Sequence, residues 1–158
     1  MSEVLSRRPQ RDTAARHFAI VASLFNAEYV EGLLHHASKE FRSLTPNAEL
    51  SIHRVPGAFE IPVTVRELAI HQKHDAVLAL GVIIKCHTSH ANNLARSVTD
   101  ALQRVAIDTG IPVINAVLSV ENEAQARERC LEGKINRGTE AARAAVQIAG
   151  VMEELRAT

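Results

Sequence analysis

Residues 75–84 read DAVLALGVII: one aspartate, then nine residues that are all apolar or glycine. The run is apolar at odd and even positions alike and too short for a typical helix. That pattern describes a strand buried on both faces, the kind found inside a parallel sheet with helices above and below. Working backwards, His17–Ala22 (HFAIVA) repeats the pattern, and Leu50, Ile52 and Val55 suggest another strand ended by Pro56-Gly57. Working forwards, Ile111–Val120 reads as a fourth. The segments between carry helical spacing instead. Val30, Leu33, Leu34, Ala37 and Phe41 share one helix face, with Asn26 as the expected N-cap. A helix over about 61–70 has Pro62 in its first turn. Leu94, Ala95, Val98, Ala101, Leu102 and Val105 mark a long helix stopped by Gly110 and Pro112, and two more helices are expected near 122–131 and 139–155.

Strand and helix alternate throughout, which predicts right-handed crossovers and a three-layer α/β/α sandwich around a four-stranded parallel sheet. At 158 residues, with no repeat or linker, the chain is expected to form one domain over 16–158 behind a flexible polar tail over 1–15. Eighteen Lys and Arg balance eighteen Asp and Glu, which argues against a nucleic-acid surface. No apolar run approaches the roughly 18 residues of a membrane span. The two cysteines, Cys86 and Cys130, form no CxxC pair, and no secretory leader is apparent; a cytoplasmic protein is expected. Twenty-four alanines and only five aromatic residues imply a core of aliphatic side chains and closely approaching helices.

Ligands of open α/β sheets bind beyond the carboxyl ends of the strands. That rule selects Ser23–Asn26, Pro56–Glu60, Lys85–His90 and the neighbourhood of Asn115. In the third segment, backbone N–H groups near His87 and Thr88 at a helix start suit a phosphate. His90 would meet the positive end of the helix dipole, which favours a neutral imidazole for proton transfer. Alternatively Thr88 or Ser89 merely caps the helix and His90 is solvated. Phe25 either stacks on a heterocycle whose edge Asn26 fixes, or plugs the core edge. Glu60 either binds ligand hydroxyls or favours a helix N-terminus. Arg129 pairs with a phosphate or is a solvated charge. Cys86, His87 and His90 lack metal-site spacing, so no metal is expected. His35-His36 and His71/His74 read as solvent-facing residues on helices. No GxGxxG or GxxxxGK[ST] occurs, which argues against dinucleotide and P-loop readings.

Taken together these segments resemble the 6,7-dimethyl-8-ribityllumazine synthases of riboflavin biosynthesis, over nearly the whole chain from Arg16 to Leu155. Val55-Pro56-Gly57-Ala58-Phe59-Glu60-Ile61-Pro62 reads like the family's VPGAFEIP. Gly81–Lys85, Thr88 and His90 match G-x-V-I-[RK]-G-x-T-x-H at most positions, and Phe25-Asn26, Ile111–Val113 and Gln125-Ala126 with Arg129 follow in register. The resemblance implies a flavodoxin-like fold. It also implies condensation of 5-amino-6-(D-ribitylamino)uracil with 3,4-dihydroxy-2-butanone 4-phosphate, releasing phosphate and water, with no cofactor.

Carried over by position, Phe25 stacks on the pyrimidine and Ala58, Phe59 and Glu60 border the ribityl chain. Val82, Ile83 and Ile84 meet the uracil edge through their backbone. His87, Thr88 and Arg129 hold phosphate, and His90 moves protons. The resemblance further implies a homo-oligomer, a pentamer with sites between subunits and Arg129 supplied by the neighbour, in some relatives assembled further. Cys86 and His87 depart from the family's Gly and small residue, Asn115 stands for a common aromatic near the uracil, and 133–138 differs from the turn of capsid formers. The altered phosphate loop favours a second reading, a non-catalytic lumazine- or riboflavin-binding relative; the retained His90, Thr88 and Arg129 count against it.

Overall fold

The structure, a computed structural model, describes residues 2–158. Its elements are β1 (His17–Ser23), α1 (Ala27–Leu44), β2 (Glu49–Val55), α2 (Ile61–His71), β3 (Ala76–Ile84), α3 (His90–Thr109), β4 (Val113–Val120), α4 (Glu123–Cys130) and α5 (Arg137–Ala157). A short 3₁₀ turn, Ala58–Glu60, precedes α2. The four strands form one parallel sheet in the order β2-β1-β3-β4. This is the three-layer architecture expected from the strand-helix alternation. Among the described residues, no helix is long and apolar enough to cross a membrane.

The two central strands carry the fold. Phe18 to Ala22 pair with Ala76 to Leu80, and every one of those residues is buried. On one face, Phe18, Ile20, Leu78 and Leu80 pack against α1, α4 and α5; on the other, Ala19, Val21, Val77 and Ala79 pack against α2 and α3. At the amino ends, Asp75 lies one residue before β3 and accepts from the His17 backbone N–H at 2.8 Å, while its own N–H donates to His17 O at 2.7 Å. Buried Arg16 adds ion pairs to Asp12 and Glu153, tying the segment before β1 to α5. That segment has no helix or strand, yet Arg8 pairs with Glu40 of α1 and Arg143 of α5 donates to Ser6 O.

The α1/α5 layer packs unusually close because glycine and alanine permit it. A Cβ on Gly138 would sit 2.1 Å from the Leu33 carbonyl oxygen, and one on Gly32 would sit 2.5 Å from that of Cys130. Ala141, Ala142, Ala145 and Ala149 continue the contact along α5. Asn136, wholly buried, starts this helix. Its carboxamide oxygen accepts from the Gly138 and Thr139 amides, and its NH₂ donates to the carbonyls of Cys130 and Glu132.

Three expectations are corrected. The last helix begins at Arg137 rather than Thr139, because Asn136 caps it. His74 is not a solvent-facing helix residue: it lies beyond α2, is buried, and bonds Leu68 O, so burial holds its pKa down. Asn26 sits at the N-cap position of α1, but its side chain caps nothing there; it is in the left-handed region, and its amide reaches elsewhere.

The packing yields a prediction with opposite signs on one helix. Gly138→Ala should lower stability by about 3 kcal/mol, because the new methyl meets backbone that must move. The melting temperature should fall by roughly 6–12 °C. Gly150→Ala, where a Cβ meets nothing within 4 Å, should instead gain about 0.5–1 kcal/mol from helix propensity. Thermal unfolding of the two variants checks this, and a stabilised Gly138→Ala would contradict the close approach.

Candidate active site

The chain runs from β1 outward to β2, then crosses back over β1 to place β3 on its other side. The connections therefore depart in opposite directions from the carboxyl ends of β1 and β3, which opens a crevice there. A cavity of about 530 Å³ fills it. Of the residues singled out in the sequence, Phe25, Asn26, Ala58, Phe59, Glu60, Val82, Ile83, Ile84 and His90 line this one space. A wider groove of about 680 Å³ between α2 and α3, lined by Val63, Arg66, Arg96, Asp100 and Arg104 among others, contains none of them.

Each wall has a local cause. After β1, the chain turns through Leu24, Phe25 and Asn26; the amides of Leu24 and Phe25 donate to the carbonyls of Val55 and Pro56 at the end of β2. Phe25 and Phe59 are left 71% and 68% exposed at the rim, which a chain with five aromatic residues would not be expected to waste on solvent. After β2, Glu60 folds back so that Oε2 accepts from the Gly57 N–H at 2.9 Å, closing the 3₁₀ turn. One carboxylate oxygen thus shapes the turn, and Glu60 lines the cavity. After β3, Val82, Ile83 and Ile84 line the cavity, and the loop 85–89 leads into α3.

His90 is the first residue of α3 and is exposed at the cavity. Neither Thr88 nor Ser89 caps the helix with its side chain. The Thr88 hydroxyl instead lies 3.2 Å from Cys86 Sγ. The first amides of α3 are thereby left without a side-chain acceptor, the condition under which a helix start takes up an anion. Lys85 pairs with Glu121 across the ends of β3 and β4.

Four singled-out residues do not line the cavity. His87 and Thr88 are exposed in the loop beside it. Asn115 lies on β4, the free edge of the sheet, where it donates to Thr99 Oγ1 and accepts from the Val117 N–H. Arg129 is on α4, 12% exposed, with Nη1 on Glu128 and its buried Nε unpaired. Thus neither Asn115 nor Arg129 borders the cavity of its own chain.

The cavity also uses residues that had not been assigned a role: Ser23, Gly57, Cys86, Ala91 and Leu94. Ala91 and Leu94 follow His90 at one and four positions, a spacing that places Leu94 on the same helix face as His90. Cys86 was visible only as an odd residue in the loop.

The sequence pattern of the 6,7-dimethyl-8-ribityllumazine synthase family matches residues 15–153. The chain is 42% identical over 148 residues to the 6,7-dimethyl-8-ribityllumazine synthase of Corynebacterium efficiens, covering 92% of this chain and 91% of that one. It is 41% identical over 138 residues to that of Leptothrix cholodnii, 87% of each. With that of Thermococcus kodakarensis it shares 42% over 108 residues, 68% and 69%.

The two thiols should differ sharply. The Thr88 hydroxyl holds exposed Cys86 below the usual thiol pKa, whereas burial pushes Cys130 up to about 12. An aromatic disulfide reagent should titrate one thiol in the native protein, mapping to Cys86, and the second only after denaturation. Two fast equivalents in the native state would contradict the burial of Cys130.

Proposed function

The chain belongs to the 6,7-dimethyl-8-ribityllumazine synthase family, and on that premise we propose that its strand-end cavity joins 5-amino-6-(D-ribitylamino)uracil to 3,4-dihydroxy-2-butanone 4-phosphate. The observation that carries this assignment is the convergence of Phe25, Glu60, Val82, Ile83, Ile84 and His90 on one cavity at the switch of strand order.

The pyrimidine stacks on Phe25 with its polar edge along the β3 backbone. The ribityl chain runs beside the 58–60 turn, where the Glu60 carboxylate accepts hydroxyl hydrogen bonds. The phosphate sits at the uncapped start of α3, against His87 and Thr88. So placed, the pyrimidine's 5-amino group faces the ketone of the second substrate. Attack gives a carbinolamine and then an imine with loss of water. Loss of the proton from the hydroxyl-bearing carbon expels phosphate and leaves an enol that becomes a ketone. The ribitylamino nitrogen closes on that carbonyl, and loss of a second water completes the lumazine. Amine and leaving group are supplied by the substrates, so the protein contributes mainly proximity and proton transfer. His90, beside both the phosphate site and the cavity, is the group placed to carry the protons.

One chain supplies no guanidinium to this phosphate. We assign that role to Arg129 of a neighbouring copy, with Asn115 beside the pyrimidine, in a homo-oligomer, a pentamer by family resemblance. Three features support a shared site. Phe25 and Phe59 stand exposed at the rim; Arg129 has an unpaired Nε; and Asn115 lies on a free sheet edge. The groove between α2 and α3, with exposed Val63 and charges of both signs, suits packing against a copy of the chain. Two unpaired cysteines and the metabolic role fit a cytoplasmic location.

The non-catalytic reading draws on the altered loop, but Cys86 there contacts Thr88 without capping α3, so the anion site survives it. The wild-type protein should form lumazine above the spontaneous rate. His90→Ala should lower kcat by about 10²-fold. Arg129→Ala should chiefly raise KM for the butanone phosphate, by roughly tenfold or more, as expected for a lost charge-assisted contact. A wild-type rate equal to background, with lumazine still bound, would establish the binding protein instead.

A further inference from the structure

Asn26 is the only non-glycine residue with positive φ among the described residues, at φ 55° and ψ 46°. Asparagine tolerates this left-handed region better than other side chains, but a residue kept there in place of glycine needs a reason in its surroundings. Its side chain supplies one: Nδ2 donates to the Val82 carbonyl at 2.7 Å. Val82 lines the cavity from β3. The two residues before Asn26 donate their backbone amides to Val55 O at 2.8 Å and Pro56 O at 3.1 Å, at the end of β2. A three-residue loop thus fastens the exits of β1, β2 and β3 to one another, and among the described residues Asn26 makes the loop's hydrogen bond to β3.

We propose that Asn26 is a positioning residue. Its left-handed backbone and its amide bond to Val82 lock the loop 24–26 across three strand ends, so that the exposed Phe25 ring is held at the rim beside the Val82–Ile84 backbone. One amide hydrogen is committed to the protein, so Asn26 acts on the pyrimidine through Phe25 and the β3 backbone rather than as a ligand of its edge. The inference rests on the synthase reading for its consequence in turnover, while the lock itself is a property of the free protein.

Two variants separate the parts. Asn26→Asp keeps the size and the tolerance for positive φ but turns the donor into an acceptor facing the Val82 oxygen. Asn26→Gly takes the left-handed backbone freely and drops the amide. Both should raise KM for the ribitylaminouracil by about tenfold, one hydrogen bond's worth or somewhat more, with kcat and KM for the butanone phosphate nearly unchanged. In the same proteins without substrate, amide hydrogen exchange at Leu24 and Phe25 should accelerate about tenfold, while exchange at Ile20 and Leu78 in the core stays as in wild type. A raised KM with unchanged exchange at Leu24 and Phe25 would overturn the proposal and make Asn26 a direct ligand. Unchanged values of both would overturn it as well. If Asn26→Asp does not fold, Asn26→Gly carries the same two readouts. Should the wild type prove inactive, the synthase reading fails, and the exchange measurement still decides whether the lock exists.

Discussion

The pairing of β1 with β3 is the constraint on which the rest depends. Five residues of each strand lie side by side with no exposed face, so neither strand can slip without moving apolar side chains between two separate cores. The pairing also fixes chemistry. Because β2 follows β1 in sequence but lies on its far side, the reversal of direction falls between β1 and β3, and a crevice must open at their carboxyl ends. The loops that leave those ends supply the aromatic ring, the carboxylate and the imidazole. The cavity follows from the order of the strands, not from the loops alone.

The layer of α1, α4 and α5 performs a second task. Glycines at 32 and 138 bring helix backbones into contact, and buried Asn136 joins the end of α4 to the start of α5. With α4 fixed this way, Arg129 stays out of the lining of the cavity of its own chain. The chain therefore presents an open cavity with exposed aromatic rims, while Asn115 and Arg129 lie outside it. The proposed shared site would need a head-to-tail contact between copies, the kind that can close into a ring.

Much of this was legible in the residues. DAVLALGVII and HFAIVA are apolar on both faces, which only an interior strand of a covered parallel sheet explains, and the strand-end rule then pointed to Phe25, Glu60 and His90 before any site was seen. What could not be read depends mostly on contacts distant in sequence, Cys86 and Thr88, two residues apart, being the exception. Asn26 precedes a helix and reads as a cap, because nothing local reveals that Val82 will lie 2.7 Å away. His74 follows a helix in a polar stretch, and its burial depends on where β3 enters the sheet. Cys86 looked like a disturbance of an anion loop, whereas its contact with Thr88 leaves the start of α3 uncapped. The wide α2/α3 groove has no motif at all; it exists only once two helices separated by a strand are placed together.

The central proposal is that Arg129, which would hold the phosphate, comes from a neighbouring copy. Mixing subunits tests it most directly. His90→Ala and Arg129→Ala proteins, each nearly inactive at limiting butanone phosphate, are unfolded together in equal amounts and refolded. If His90 and Arg129 meet across a subunit contact, random assembly pairs an intact His90 with an intact Arg129 at about one site in four, and activity should recover to roughly a quarter of wild type. If both residues serve the site of their own chain, no mixed assembly contains an intact site. The refolded mixture would then be no more active than the average of its two parents, and the shared site would be ruled out.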